Sequence, residues 1–383
     1  MAHDRQKTVW VGLHRLLGTT YAARTPASVQ RLYIRIQNHS VHTMKRYLLL
    51  ALFLAVIQYS QGQSSKKSYT NPICTEDGKA LHVADPFIYE HEGTYYLTGT
   101  TDVNMGFDYY TSHDLVTWKF GGALFHRTPD YPGTNSFWAP EVREYKGRFY
   151  LTYSCWFDEF NRLMSCLAMS DRPEGPFTPL YSPWFDIDGQ AIDCHIFVDD
   201  DPRQTPYLFY SRNGSRDGYA YGEVWGVRLQ DDLSGFDGEP RLIGQADQPW
   251  ELVCRDNNRC NEDPFVIKYE GTYYMTYSGN DTGQSHYGVG VATAPHPLGP
   301  WFKYDDNPQM ITDFSRGISS PGHNSIITSP DGSELFIVYH RHADPWQPRP
   351  AFDRIVCIDR IYFDKAGRMH IAQPSTTPQP MPC

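Results

Sequence analysis

Long helices are missing from this chain. No long window of the 383 residues repeats its apolar side chains at the helical period, which argues against bundles and strand–helix–strand folds. No CxxC pair or His–Cys cluster occurs, so a structural zinc site is not expected. The apolar run at 48–57 is about ten residues, well short of the roughly 20 that span a bilayer, so stable membrane insertion is not expected. Positive charge is scarce beyond the amino terminus. Residues 1–62 hold eight Lys/Arg and one Asp, a net of +7, which leaves −17 of the total −10 on the remainder. A surface that acidic repels phosphate backbones and excludes nucleic acid as a partner. Aromatics, in contrast, are abundant: 27 Tyr, 20 Phe and 9 Trp make up 15% of the chain. They favour strands and stack on sugar rings.

The amino terminus reads as a leader. Lys45 and Arg46 precede the apolar run, and Ser60 and Gly62 stand at the −3 and −1 positions of a cleavage site, the pattern of a secretory signal at 44–62. Met44 heads the pattern, so residues 1–43 read as an upstream extension. The expectation is export, to the periplasm or medium, of a single domain over 63–383. Export permits disulfides, and Cys254 and Cys260, flanking a polar loop, are the first pair to test among eight cysteines. The Pro-rich end, QPSTTPQPMPC, reads as a short tail.

One pattern recurs five times, at 84–100, 139–154, 193–211, 262–278 and 323–340. Each copy is a short apolar strand, a polar turn usually containing Gly, and an aromatic strand, the signature of a β-hairpin. Several copies are followed by another strand, a Pro/Gly turn and an aromatic strand, as in 167–180 and 290–304. Five four-stranded units without helices predict an all-β, five-bladed β-propeller, with a β-sandwich as the alternative. Innermost strands of a propeller begin at one mouth of the axis. Asp85, Glu141, Asp193, Glu262 with Asp263, and His323 stand near those beginnings, so they are expected to converge on one pocket.

Carried by ADPFIY around Asp85, FWAPEV at 137–142, AIDCHIFVDDD at 191–201, NEDPFVIKYEGTYYMTYS at 261–278 and GHNSIITSPDG at 322–332, the chain resembles glycoside hydrolase family 43. The resemblance covers about residues 70–370. The WMNDPNG-like and RDP segments of related fructan-cleaving propellers are absent. By position, the resemblance implies Asp85 as general base, Glu262 as general acid and Asp193 as the carboxylate that tunes the acid. It implies inversion at the anomeric carbon, for which two carboxyl groups roughly 6.5–9.5 Å apart leave room for a water. The family's usual Glu-Gly-Pro is here Glu262-Asp263-Pro264, and within the internal repeat it is Asp263 that aligns with Asp85. Phe137 and Trp138 are candidates for stacking on sugar, and Arg354 resembles an arginine that contacts the terminal sugar. His323 resembles a histidine beside a water-coordinated axial cation, often calcium, although no cofactor is required for the reaction. Asp199, Asp200 and Asp201 read as a hairpin turn rather than a calcium cluster, and Asn213 and Asn280 open glycosylation sequons.

The resemblance implies an oligo- or polysaccharide substrate and an exo-acting α-L-arabinofuranosidase on plant cell-wall glycan. The alternatives are β-xylosidase or exo-β-galactosidase activity, or a sugar-binding propeller without catalysis.

Overall fold

Hairpin chemistry sets the framework. Four times a strand ends in a polar residue followed by Gly, both at positive φ: Glu92-Gly93 (50° and 76°), Lys146-Gly147 (49° and 75°), Asp217-Gly218 (50° and 86°) and Glu270-Gly271 (47° and 82°). Two successive positive φ values define the type I′ turn, whose twist matches that of the flanking strands, and Gly takes its second position without strain. At the Asp199-Asp200-Asp201 stretch, between the first two strands of its unit, Asp201 accepts from the Arg203 and Thr205 amides and the Thr205 hydroxyl, so it does cap a turn. Asp199 and Asp200 both pair with Lys268.

The structure, a computed structural model, describes residues 67–346 and 353–383. The leader at 44–62, the start at Met44 and the segment 1–43 lie outside them. Five antiparallel units of four strands follow in chain order. Blade 1 is Ala84–His91, Thr94–Thr100, Gly106–Ser112 and Thr117–His126; blade 2 is Gly133–Tyr145, Arg148–Phe157, Arg162–Ser170 and Thr178–Tyr181. Blade 3 is Gln190–Val198, Pro206–Arg216, Tyr219–Arg228 and Arg241–Gln245; blade 4 is Asn258–Tyr269, Thr272–Gly279, Gly288–Ala294 and Phe302–Lys303. Blade 5 is Gly322–Thr328, Leu335–His342, Arg354–Phe363 and Met369–Ile371. Blades 3 and 4 are also joined edge to edge, where residues 220–222 run parallel to 258–260. No helix among the described residues is long and apolar enough to cross a membrane.

Blade faces are apolar and pack on one another. Phe107, Phe125, Tyr131, Phe137 and Tyr153 form one aromatic cluster with ring centroids 5.0–6.4 Å apart. Buried aromatics at such spacing add about 0.5–1.5 kcal/mol per pair beyond area burial.

Two expectations are corrected here. The Pro-rich end is not a loose tail: Gln379–Pro380 pairs with Ser68–Tyr69, and the Cys383 amide donates to Glu334. This carboxy-terminal strand joins an amino-terminal clasp on blade 5. The Ile73 amide donates to the Val356 carbonyl (3.1 Å), the Val356 amide to Leu81 (3.0 Å), and buried Asn71 to Ile358 (2.8 Å). Nor do Cys254 and Cys260 form a disulfide. All eight cysteines are free. The Cys254 thiol turns to Gln284 (3.3 Å), whereas Cys260 lies in a blade-4 strand and turns to Glu262 (3.4 Å).

Candidate active site

Every innermost strand bends at the same place. The register against its neighbour shifts just after Ala84, Trp138, Ile192, Glu262 and Gly322, a β-bulge in each blade. The next residue has positive φ in all five: Asp85 (52°), Ala139 (45°), Asp193 (52°), Asp263 (56°) and His323 (48°). Left-handed backbone at a non-Gly residue costs on the order of 1–3 kcal/mol and clusters at functional sites. The blade-2 member is therefore Ala139. Glu141, expected at this position, lies two residues further along, where it pairs with His195 Nδ1 (2.7 Å).

Opposite each bulge, on the second strand of its blade, stands the residue that ends the sequence repeat: Thr100, Ser154, Ser211, Ser278 and His340. Three of the hydroxyls do the same double duty. Thr100 Oγ1 donates to Asp85 (2.6 Å) and accepts from the Ala139 amide of the next blade (2.9 Å). Ser211 Oγ donates to Asp193 (3.1 Å) and accepts from the Asp263 amide (3.1 Å). Ser278 Oγ donates to Asp263 (3.2 Å) and accepts from the His323 amide (2.9 Å). At the seam between blades 5 and 1, His340 Nδ1 accepts from the Asp85 amide (3.0 Å), which fixes its proton on Nε2, beside Thr282. The ring of bonds breaks only after blade 2, where Ser154 Oγ is buried without a partner.

Within this ring the carboxyl groups are pushed apart in acidity. Burial alone would raise the pKa of Asp85. The Arg354 guanidinium, helped by the Thr100 hydrogen bond, outweighs it and holds Asp85 well below the usual carboxylate range. Arg354 Nη1 lies 2.9 Å from Asp85 Oδ1, and both side chains are buried. Asp193 is driven well up by burial, then by Glu262 and Asp85. Glu262 is pushed up to about 7 by burial, against hydrogen bonds from Tyr287 (2.7 Å) and Cys260, and with help from Asp85 and Asp281. Asp263 is also raised, first by burial and then by Asp193, but both Asn324 donors and Ser278 occupy its Oδ2.

The residue before the bulge faces elsewhere. Trp138, Ile192 and Glu262 line a cavity of about 610 Å³, together with Asn213, Tyr221 and Asp281. Thus Glu262 opens into the cavity while its neighbour Asp263, 2% exposed, is tied into the ring. Asp85 and Asp193 are likewise buried ring members and are not on the cavity wall.

Of the stacking candidates, Trp138 lies on this wall. Phe137 does not: it is fully buried in the aromatic cluster between blades 1 and 2, because adjacent strand residues face opposite ways. Arg354 is neither on the surface nor on the wall; its contact is Asp85. His323 spans two carboxylates, with Nδ1 3.4 Å from Asp85 and Nε2 3.4 Å from Asp263. Burial lowers its pKa despite Asp85, so it favours the neutral form. Both its ring nitrogens face these carboxylates, and no group of three or more His, Cys, Asp or Glu among the described residues is arranged to hold a metal ion. The residues do not fit a directly bound cation. Asn280 is 2% exposed with its amide bound to the Trp250 and His286 carbonyls, so that sequon is closed. Sequence reasoning passed over Thr100, Ser211, Ser278 and His340, although each ends its repeat and could have been found there. Nothing in the sequence marks Tyr287.

Comparison with known proteins agrees with this geometry. The family model for glycosyl hydrolases family 43 matches residues 69–369. A crystal structure of a thermostable family-43 glycoside hydrolase is 41% identical, covers 82% of this chain and 99% of its own, and superposes with a TM-score of 0.77. A β-D-galactofuranosidase of Aspergillus niger is 29% identical over 75% of this chain and 81% of its own length. An extracellular exo-α-(1→5)-L-arabinofuranosidase of Streptomyces avermitilis is 25% identical over 81% of this chain and 64% of its own length. The chain belongs to glycoside hydrolase family 43, and is an enzyme acting on O-glycosyl bonds.

Proposed function

We propose that this family 43 enzyme is exported and releases terminal α-L-arabinofuranosyl units from plant cell-wall polysaccharide, with inversion. The observation that carries the reading is the split in acidity between Asp85, held ionised, and Glu262, poised near 7. Pairs of carboxyl groups driven apart in this way divide acid from base. Asp85 takes a proton from the attacking water, and Arg354 and Thr100 keep it ionised until then. Glu262 protonates the leaving glycosidic oxygen. Ionised Asp193 would stabilise the protonated form of Glu262 by like-charge repulsion, and its own raised pKa limits that effect to higher pH. Trp138 offers its ring to the sugar from the wall. Export rests on the leader pattern at 44–62 and on relatives named as extracellular.

A second reading has its own support. The Aspergillus relative is named a β-D-galactofuranosidase, and another relative, from Humicola insolens, is named xylosidase/arabinosidase. Aryl α-L-arabinofuranoside, β-D-galactofuranoside, β-D-galactopyranoside and β-D-xylopyranoside assayed side by side decide among these. Arabinofuranoside should give the highest kcat/KM. A higher value on any of the others replaces the proposed sugar. Proton NMR of the first product should show the inverted anomer; the retained anomer would overturn the roles of Asp85 and Glu262.

A further inference from the structure

The end of the propeller that bears the carboxyl ring carries an aromatic feature that the chemistry above does not use. Trp346 is 69% exposed and Phe314 40% exposed, and their rings stack at 5.5 Å with 24° between planes. Phe314 lies in the turn leading into the first strand of blade 5, and Trp346 just beyond the end of its second strand. That strand start and strand end flank the bulge at His323, so both rings sit on the end of the propeller that bears the carboxyl ring. The link to the cavity is a chain of hydrogen bonds. The cavity-wall residue Thr282 receives at its carbonyl both Ser320 Oγ (3.1 Å) and His342 Nε2 (2.8 Å). The His342 amide in turn binds the Ser319 carbonyl (3.0 Å). Four residues separate His342 from Trp346, a reach of at most ~14 Å.

We infer that Phe314 and Trp346 form a platform for a sugar unit of the polymeric substrate, beyond the units held in the cavity. One face of Trp346 rests on Phe314, and a ring so exposed must turn its other face to solvent. Flat, rigid aromatic faces suit the C–H faces of sugar rings and lose little conformational entropy on binding. The −17 charge of the chain beyond residue 62 leaves a neutral glycan, rather than an anionic one, as the partner such a surface accepts.

This inference rests on the glycoside hydrolase reading but not on which sugar is released. The test compares wild type with Phe314→Ala/Trp346→Ala, in which two exposed side chains are trimmed, and with Trp346→Phe. Native gels cast with linear arabinan or arabinoxylan measure retardation, and kcat/KM is taken on polymer and on the best aryl glycoside. Wild type should be retarded by at least one polymer and the double variant should migrate freely. The ratio of polymer to aryl-glycoside kcat/KM should fall about fivefold in the double variant, with Trp346→Phe recovering most of it. Equal retardation of wild type and double variant, no retardation of either, or an unchanged ratio would overturn the platform. Absence of all aryl-glycosidase activity would instead strike at the proposed function, while the retardation comparison would still decide the platform.

Discussion

Blade 2 and blade 3 build the same bend from different residues. Both innermost strands bulge, both put a non-Gly residue at positive φ, and both oppose it with a serine. In blade 3 the bulge residue is Asp193, bound by Ser211; in blade 2 it is Ala139, and Ser154 has nothing to bind. The bend is thus a property of the propeller, since it forms around an alanine as readily as around an acid. The carboxyl groups of blades 1, 3 and 4 are additions the fold does not require. Burying an acid without full compensation is costly, so the bend alone does not account for those three residues.

The sharpest break of this comparison is at blade 1. Asp85→Asn should cut kcat about 10³–10⁴-fold on polymer and aryl glycoside alike, because the attacking water loses its base whatever the leaving group. Steady-state kinetics on both substrates check this; a loss confined to polymer would remove Asp85 from the role of base. Next comes Glu262→Gln. It should cost about 10²–10³-fold on natural glycan and distinctly less on an aryl glycoside with an activated leaving group, which needs little acid assistance. The adjacent Asp263→Gly puts at the bulge the residue that tolerates positive φ best, and should retain activity. If Asp263→Gly is dead and Glu262→Gln is not, the acid is Asp263.

A smaller effect is expected in the pH profile. Glu262 must be protonated to act as acid, so kcat/KM should fall as pH rises through about 7. The Tyr287 hydroxyl stabilises ionised Glu262, so Tyr287→Phe should raise the Glu262 pKa and move that alkaline limb to higher pH. A limb that stays put or moves down would separate Tyr287 from the acid. The smallest effect tests the blade comparison itself. Ser154→Ala removes a buried hydroxyl with no partner and should stabilise by about 1 kcal/mol or change nothing. Ser211→Ala strips Asp193 and the Asp263 amide of a partner together and should destabilise by about 1–3 kcal/mol. Denaturant melts of the two variants give the contrast directly, and equal losses would erase the distinction between the blades.

The fold was legible in the sequence because its signals are local. Glu92-Gly93 and its equivalents dictate their turns, and the alternation of aromatic strands repeats often enough to count blades. The placement of Asp85, Asp193 and Glu262 at or beside the starts of innermost strands was legible from position within the repeat. What escaped were exact register and contacts far apart in the chain. Glu141 reads as the ring member because it is the acid nearest the start of its repeat, whereas Pro140, matching Pro86 and Pro264, aligns Ala139 with Asp85 and Asp263. Phe137 reads as a sugar contact in the sequence because strand alternation tells that it and Trp138 face oppositely, but not which of them faces the cavity. Tyr287 reaches Glu262 from just before the third strand of the same blade, and sequence spacing carries no trace of it.

The pairing of Asp85 with Arg354 spans 269 residues, and the clasp of residues 69–81 onto 356–358 spans slightly more. Contacts so distant in the chain close late and slowly in folding. During synthesis the strand that carries Asp85, the proposed base, is finished first, and Arg354 comes only with the third strand of blade 5. An incomplete chain therefore lacks the charge that sets the base, and activity should switch on with ring closure rather than accumulate blade by blade.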